Sequence, residues 1–327
     1  MSGRVQKKPV QKMSSKIVAD DFSAAFLLSI QPETLKQFAP DTLKHIVERH
    51  RMMSQSRKRG NTALEITNPS EKNVGKSSHT TIDIIGDDKA FIIDSVIALM
   101  SRTSYQIEKI LHSLVYVGVA KSKNAGQFLA KKTEGYVGQS HIYIECARRL
   151  TKEQIVDLKQ SLQIVFEDTT LSNRDWLVIK DNVLKLRENL LPATTSNKKE
   201  FADYQDFLEY IYNDNFTLLG FSDYTVSSGK EGHLKLVPAS GLGLLSATRS
   251  ENFLTDGDQK HILKNSILEK QEQVLVTKLM RKSTVHRAVP VDAILVRRVD
   301  AKKQITGYTL IIGLFTSVTY SRSLGTV

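Results

Sequence analysis

In Thr80-Thr-Ile-Asp-Ile-Ile-Gly86, apolar and polar residues alternate up to a glycine. Alternation of this kind predicts a β-strand, because successive side chains of a strand point to opposite faces of a sheet. Asp87 and Asp88 follow directly, and we expect their carboxylates to cap a helix that runs to about Ser104. A strand joined to a helix at this point opens an α+β unit.

Further along the chain, the pattern predicts two more strands, near residues 110–120 and 140–146. Thr151-Lys-Glu-Gln154 has the spacing of a capping box and opens a helix, and a second helix is predicted over residues 172–190. The order β-α-β-β-α is that of a ferredoxin-like split βαβ unit without a clear last strand. ACT domains, small regulatory modules that often bind amino acids, have this framework. We therefore predict an ACT-like domain over residues 79–192.

The sequence before this domain divides into three segments. Residues 1–18 are basic and polar and are predicted to form a disordered arm, whereas residues 19–54 are predicted to be helical. The apolar residues of one helix in this segment share a face: Leu43, Ile46, Val47 and Met53. Residues 55–78 are rich in Ser, Lys, Arg, Asn and Gly, which predicts a linker.

The sequence after the ACT-like domain predicts a second α+β domain over residues 199–327. An amphipathic helix opens it, and mostly antiparallel strands follow. These strands are predicted near residues 216–226, 234–238, 274–278, 293–299 and 309–315. Residues Asp300 to Gln304 are predicted to form a hairpin turn between the last two strands.

The charge and hydropathy of the chain exclude several functions. The net charge is +11, and most of it lies in residues 1–60, which hold 12 Lys/Arg against 5 Asp/Glu. A basic arm on a nearly neutral body can solubilise the chain or contact an anionic surface without specificity, so we expect no dedicated nucleic-acid function. No apolar run approaches the roughly 18 residues of a membrane-spanning helix, so no membrane partner is expected. Since a signal-peptide pattern is also absent, a cytoplasmic protein is the default expectation.

The residue patterns support neither catalysis nor a metal site. Ser240-Gly-Leu-Gly243 lacks the third glycine of a dinucleotide-binding turn and is interpreted as a tight turn between strands. The eight histidines show no pair at metal-binding spacing. The lone Cys146 lies in an alternating stretch and is predicted to be a packed strand residue. The most function-like cluster is predicted to be an inter-domain polar loop that contacts another part of the same assembly: Ser283, Thr284, His286 and Arg287.

The candidate ligand-binding residues are Gly86, Asp87 and Asp88. Adjacent carboxylates on a helix point about 100° apart, so these two do not converge on one substrate for acid/base chemistry. In ACT-like domains small effectors often sit near the first strand–helix junction, where these residues lie. We therefore expect an amino-acid effector at this junction.

Segments spread over residues 80–323 resemble the large NAD-specific glutamate dehydrogenases and follow one another in that family's order. They are Thr81-Ile-Asp-Ile-Ile-Gly-Asp-Asp-Lys-Ala-Phe-Ile-Ile-Asp-Ser-Val96, Ser140-His-Ile-Tyr-Ile-Glu145, Phe216-Thr-Leu-Leu-Gly-Phe-Ser-Asp-Tyr224, Val237-Pro-Ala-Ser-Gly-Leu-Gly-Leu-Leu245, Thr277-Lys278, Ser283-Thr-Val-His-Arg287 and Gly313-Leu-Phe-Thr-Ser-Val-Thr-Tyr-Ser-Arg-Ser323. The resemblance implies ACT-like and PAS-like modules, which in the family precede a dehydrogenase domain with the catalytic residues and the Rossmann unit for NAD. No catalytic residue of that domain is carried over to this chain.

The resemblance implies a non-catalytic regulatory or oligomerisation segment of an NAD-specific glutamate dehydrogenase. The complete enzyme converts L-glutamate, NAD and water to 2-oxoglutarate, ammonium and NADH. The expected partners are the catalytic portion of the dehydrogenase, covalent or separate, a second copy of the chain and an amino-acid effector. NAD is expected only in the complete enzyme. The alternatives are a free-standing amino-acid-sensing ACT-like protein and a nucleic-acid-associated protein that uses the basic arm.

Overall fold

The computed structural model describes residues 21–68, 79–103, 105–119, 122–193, 197–226, 234–237, 239–266 and 273–316. The predicted disordered arm, residues 1–18, lies outside the described residues. The chain divides into two compact units, Met1–Phe166 and Glu167–Val327. Within the described residues, every helix falls short of the combination of length and hydropathy that crossing a membrane requires.

The first unit combines helices with an antiparallel sheet. Its elements are α1 (Asp21–Leu28), α2 (Pro32–Leu35), α3 (Pro40–Ser56), β1 (Ala63–Thr67), β2 (Thr81–Asp87), α4 (Ile92–Arg102), β3 (Ile107–Gly118), β4 (Phe128–Leu129), β5 (Tyr136–Cys146) and the first part of α5 (Lys152–Glu188). The strand order is β1-β2-β5-β3-β4, and each neighbouring pair is antiparallel. β2 and β3 therefore run parallel to each other with β5 between them, which is the split βαβ arrangement that the sequence predicts.

The prediction of a linker over residues 55–78 is wrong in its described part. α3 continues to Ser56, and Ala63–Thr67 forms β1 at the edge of the sheet, beside β2. Leu64 and Ile66 pack against the core of the sheet. The upstream chain thus supplies the fourth strand that the predicted β-α-β-β-α order lacks. Five alternating residues between polar flanks are enough for an edge strand but give a weak sequence signal.

Helices cover both faces of this sheet. α4 and the first part of α5 pack on one face, where the buried residues include Ile82, Ile84, Val96, Leu99, Ile142, Ile144, Leu158 and Leu162. α1 and α3 pack on the other face, where the buried residues include Phe22, Phe26, Leu43, Ile46, Val47, Leu111, Val115 and Tyr143. Because neither face is open to solvent, the polar residues that alternate with the isoleucines are buried as well.

The start of α4 differs from the prediction. The helix begins at Ile92, after Phe91 in the left-handed backbone region (φ 67°), so Asp87 and Asp88 do not cap it. Asp87 is still part of β2. The two carboxylates are therefore available for other contacts.

The two helices predicted after Thr151 are one helix of 37 residues, Lys152–Glu188. Ser172-Asn173 has the pattern of a helix cap, but the Asn173 side chain donates to the carbonyl of Thr169, one turn earlier in the same helix (2.8 Å). The boundary between the two units falls inside this helix, between Phe166 and Glu167, instead of at the predicted break after residue 192.

The second unit is also α+β with an antiparallel sheet. After the remainder of α5 its elements are α6 (Lys198–Tyr210), a π-helical turn (Ile211–Asn215), β6 (Phe216–Val226), β7 (Leu234–Leu236), β8 (Leu242–Gly243), α7 (Asp256–Ser266), β9 (Val274–Lys282), β10 (Pro290–Val299) and β11 (Ile305–Phe315). The strand order is β7-β6-β11-β10-β9, and β8 pairs with β6. Each predicted strand overlaps one of these, and the Asp300 amide donates to the Gln304 carbonyl at 3.0 Å in the predicted hairpin turn. The α+β class is confirmed.

Candidate functional site

The predicted ligand residues lie at the end of β2 and in the turn that leads to α4. Gly86 is buried, Asp87 is partly buried and Asp88 is exposed. Both carboxylate oxygens of Asp87 are occupied: the Arg57 guanidinium lies 2.8 Å from Oδ1, and the Gly60 amide donates to Oδ2 at 3.0 Å. The three predicted residues are therefore together, but Asp87 is engaged by the chain that follows α3.

Other polar residues, which the sequence did not single out, surround Asp88. Its amide donates to the Gly138 carbonyl at 2.9 Å, and a Cβ at Gly138 would lie only 2.8 Å from the Cβ of Asp88. Nε2 of His112 lies 2.9 Å from Oγ of the buried Ser140. Burial lowers the pKa of His112, although the negative charge of Asp88 opposes the shift. Burial also lowers the pKa of Lys89. The junction thus brings together a carboxylate, an imidazole and an ammonium group that could contact a small polar ligand.

A row of polar contacts, here called the α3 seam, joins α3 to the sheet beside this junction. The helix side of the seam consists of Arg49, His50, Ser54 and Arg57. The sheet side consists of Thr81, Asp83 and Asp87 on β2 with Gln139 and His141 on β5. All five sheet residues point to one face, because they alternate with residues of the opposite face along their strands.

The contacts of the α3 seam are separated by similar distances along the helix and along the strand. At one end the Arg49 guanidinium donates to Oγ1 of Thr81 at 3.0 Å and pairs with the Asp83 carboxylate. At the other end Arg57 pairs with Asp87. The helix advances about 12 Å over its eight residues, and the strand advances about 13 Å over its four. The similar lengths allow both ion pairs to form at once.

The centre of the α3 seam is a chain of three fully buried groups. Nε2 of His50 lies 3.1 Å from Oδ1 of Asp83, and Nδ1 of His50 lies 3.3 Å from Nδ1 of His141. The rings of Phe22 and Phe26, both on α1, pack edge-on against His141 with centroids 5.6 Å away. Burial lowers the pKa of His141 well below its ordinary value, and the neighbouring His50 acts in the same direction. His50, Asp83 and His141 thus form one connected and fully buried polar group.

The sequence contained a signal for the buried histidine. His50 is three residues from both Val47 and Met53 and so continues the apolar stripe that predicts the buried face of α3. Asp83 and His141 gave no comparable signal, because an alternating strand usually exposes its polar side. They are buried because helices pack on both faces of the sheet, which the local sequence does not indicate.

The predicted polar loop joins β9 to β10 in the second unit and holds Ser283, Thr284, His286 and Arg287. The Ser283 hydroxyl donates to the Val285 carbonyl at 2.8 Å, and the Arg287 guanidinium donates to the Phe315 carbonyl at 2.7 Å. His286 has a left-handed φ of 66°. These contacts fix the loop on its own unit. The contact with another part of the assembly stays a prediction.

Thr284 belongs to a buried ionic network of the second unit. Its hydroxyl donates to Oδ2 of Asp168 at 2.5 Å, while Nε and Nη2 of Arg249 lie 2.7 and 3.2 Å from the two oxygens of the same carboxylate. The side chains of Asp168 and Arg249 are 0% and 2% exposed. The network anchors the loop to α5. Among the described residues, no cluster of three or more His, Cys, Asp or Glu side chains could hold a metal ion.

The family model described as "Glutamate dehydrogenase, ACT1 domain" matches residues 22–162. The NAD-specific glutamate dehydrogenase of Pseudomonas aeruginosa is 24% identical to this chain over 271 residues. The chain is a relative of the NAD-specific glutamate dehydrogenases. This finding confirms the resemblance that the ordered sequence segments indicate. The ACT1 match extends from α1 into α5, so it includes the helices on both faces of the first sheet.

This relative of the glutamate dehydrogenases corresponds to a small part of them. The alignment with the Pseudomonas protein covers 81% of the chain and 16% of the relative. The NAD-specific glutamate dehydrogenase of Halomonas elongata is 25% identical over 276 residues, with 80% of the chain and 16% of the relative covered. A solved structure of an RNA-binding light-oxygen-voltage receptor aligns with 92% of this chain and 87% of its own at 9% identity, with a TM-score of 0.19.

Proposed function

We propose that this chain is a non-catalytic regulatory and assembly segment of an NAD-specific glutamate dehydrogenase. The observation that carries the proposal is the ACT1 match over residues 22–162, in a chain that spans 16% of the length of its curated relatives. The absence of a dinucleotide-binding glycine pattern from the sequence agrees with a role outside catalysis. The catalytic portion, on the same polypeptide or a separate one, would bind NAD and oxidise glutamate in the cytoplasm.

The proposed regulatory ligand is a free amino acid bound at the junction of β2 and α4. An amino acid carries one ammonium and one carboxylate group, and the junction offers groups of both charges. The exposed Asp88 carboxylate suits the ammonium group, while Lys89 suits the carboxylate. The β-α-β-β-α framework and the ACT1 match both support this site.

For the second unit we propose a PAS-like module that contacts the catalytic portion through the loop at residues 283–287. The support is its antiparallel α+β architecture and the buried network that fixes the loop. A segment that is held rigidly presents the same surface to a partner in every molecule, which lowers the entropic loss on binding.

Two measurements test the proposed function. Purified chain mixed with glutamate and NAD is expected to form no NADH, and glutamate-dependent NADH formation would show that it is catalytic. Isothermal titration calorimetry against the common amino acids is expected to give heat with at least one of them. Asp88→Asn should weaken that binding at least tenfold, whereas Asp157→Asn, an exposed carboxylate on α5, should leave it unchanged. Heat from no amino acid would refute the effector site.

The size of the native product distinguishes an integral segment from a free-standing sensor. An immunoblot of source cells with an antibody to this chain would show a band several times larger than 36.7 kDa if the catalytic portion is on the same polypeptide. A band at 36.7 kDa together with amino-acid binding, and without a co-purifying dehydrogenase, would favour the free-standing amino-acid sensor.

A further inference from the structure

We propose that Asp83, His50 and His141 form a proton-sensitive latch that holds α1 and α3 on the sheet of the first unit and releases them on acidification. This inference stands on the geometry of the α3 seam and does not depend on the proposed function. The latch joins the helix that carries His50 to the two strands that carry Asp83 and His141, and α1 closes over it.

The partners of each group fix the tautomers of both histidines. The Asp83 carboxylate pairs with Arg49 and can only accept, so Nε2 of His50 must donate to it. When the His50 ring holds this one proton, its Nδ1 is an acceptor, and Nδ1 of His141 must donate to it. Nε2 of His141 is left as a bare acceptor. It is buried and has no hydrogen-bond partner within the described residues.

An added proton cannot be accommodated without disturbing this arrangement. A proton on Nε2 of His141 would create a charged imidazolium whose new N–H group is buried and without an acceptor among the described residues, in a ring that packs against Phe22 and Phe26. A proton on Nδ1 of His50 would meet the proton that His141 already directs at it. The clash between these two N–H groups is relieved only if His141 changes tautomer, which leaves a buried N–H at Nε2 without an acceptor among the described residues.

The charged groups around the pair do not offset that proton. On β2, the negative charge of Asp83 is already balanced by its ion pair with Arg49 of α3. Arg57 at the end of α3 and His112 of β3 both lower the pKa of His141, after the larger effect of burial and the effect of His50. Burial raises the pKa of the adjacent Tyr143 on β5, so its hydroxyl stays neutral. From α1, the phenyl rings of Phe22 and Phe26 pack against the pair.

The sign of the pH dependence follows from these surroundings. The folded-state pKa of His141 lies below its unfolded value of about 6.5. The undocked state therefore binds more protons below about pH 6.5, and acid favours it. For each proton taken up, the equilibrium constant for undocking rises about tenfold per pH unit within that window. Below the folded-state pKa of His141, both states bind the same number of protons, so the equilibrium constant for undocking no longer changes with pH.

Hydrogen–deuterium exchange of the full chain between pH 7.5 and pH 5.0 tests the latch. After correction for intrinsic exchange rates, amides of α1 and α3 are expected to lose protection on acidification, by about tenfold per pH unit for each proton. Amides of β6 and β11 in the second unit serve as the internal reference. Unchanged or increasing protection of α3 at acidic pH would overturn the proposal.

Two variants separate the latch from general acid sensitivity. In the double variant His50→Gln with His141→Phe, the glutamine amide can still donate to Asp83, and the new ring joins those of Phe22 and Phe26. Protection of α3 is then expected to be independent of pH. His45→Gln removes an exposed imidazole from the same helix and should keep the wild-type response. A double variant that retains the full response would overturn the latch.

A second measurement decides the matter if the double variant does not fold. Imidazole signals of the wild-type protein, followed by nuclear magnetic resonance over the same pH range, are expected to show His141 taking up its proton below pH 6.5, together with the loss of α3 protection. Titration of His141 at its ordinary value while α3 stays protected would refute the latch.

Discussion

Asp168→Ala should be one of the most damaging single substitutions in the second unit. The Asp168 side chain is 0% exposed, receives two hydrogen bonds from Arg249 and a third from Thr284, and has no route to solvent that would replace them. Its removal leaves the guanidinium, itself 2% exposed, without its anion. Breaking one side of such a buried pair destabilises proteins by about 3 to 5 kcal/mol.

The chain provides both a local probe and a matched control for this prediction. Its single tryptophan, Trp176, lies two turns further along the same helix, so urea unfolding followed by its fluorescence reports on the second unit. Asp181→Ala breaks an ion pair with Lys185 in which both side chains are more than half exposed. That variant should lose less than about 0.5 kcal/mol.

A double substitution distinguishes an unpaired charge from a simple loss of contacts. Asp168→Leu combined with Arg249→Met removes both charges and should recover most of the lost stability, because apolar replacements of buried ion pairs are often neutral. If Asp168→Ala costs less than about 1 kcal/mol, the carboxylate does not neutralise Arg249 as the geometry indicates. If the double substitution costs as much as the single one, the penalty does not come from an uncompensated charge.

Three further outcomes are expected. Gly243→Ala, at φ +60° with a Cβ 2.2 Å from the Leu219 carbonyl oxygen, should lower the free energy of unfolding of the second unit by at least about 2 kcal/mol, measured by the same fluorescence transition. Leu158→Ala should cost about 2 to 5 kcal/mol by urea unfolding followed by circular dichroism, whereas Leu177→Ala, 69% exposed on the same helix, should stay within about 0.5 kcal/mol. Burial raises the pKa of Cys146 to about 11, so its thiol should react with Ellman's reagent at pH 8 only after unfolding, and fast reaction in the native protein would contradict its burial.

The sequence predicted the strands of the second unit well because their boundaries are chemically marked. β6 matches residues 216–226 end to end, and the turn from Asp300 to Gln304 separates two apolar runs that pair as a hairpin. The split βαβ order of the first unit was also predictable from alternation and one capping box. In each case a local pattern was sufficient, because hairpins and βα connections are determined by neighbouring residues.

The errors have a common cause, which is that tertiary contacts overruled the local pattern. β1 is too short to be recognised alone and exists because it pairs with β2. α5 passes through Ser172, whose side chain is buried in the second unit although its pattern is that of a cap. Asp87 and Asp88 have the composition of a helix start, yet Arg57 and the Gly60 amide hold Asp87 at the end of β2. Long-range partners of this kind are not visible in a window of a few residues.

The two halves of α3 are held on the sheet by different forces. Leu43, Ile46 and Val47 in its first half pack in the apolar core with α1, whereas charges and hydrogen bonds hold the polar residues that follow, which are Arg49, His50, Ser54 and Arg57. Apolar packing hardly responds to protons or to small ions, while buried polar contacts do. Any signal that changes charge would therefore loosen the second half of α3 first.

That half ends beside the proposed effector site, and Asp87 is the residue that the two share. The Arg57 guanidinium occupies one oxygen of its carboxylate, and an ammonium group bound at the neighbouring Asp88, as proposed, would also compete for that oxygen. Binding at the junction and opening of the α3 seam would then favour each other, because a shared carboxylate couples the two equilibria. An apolar seam would hold the helix at least as firmly, but it would give the ligand nothing to compete with. Of the two compositions, only the polar one that the chain carries would make the position of the helix responsive to an amino acid bound at the proposed site.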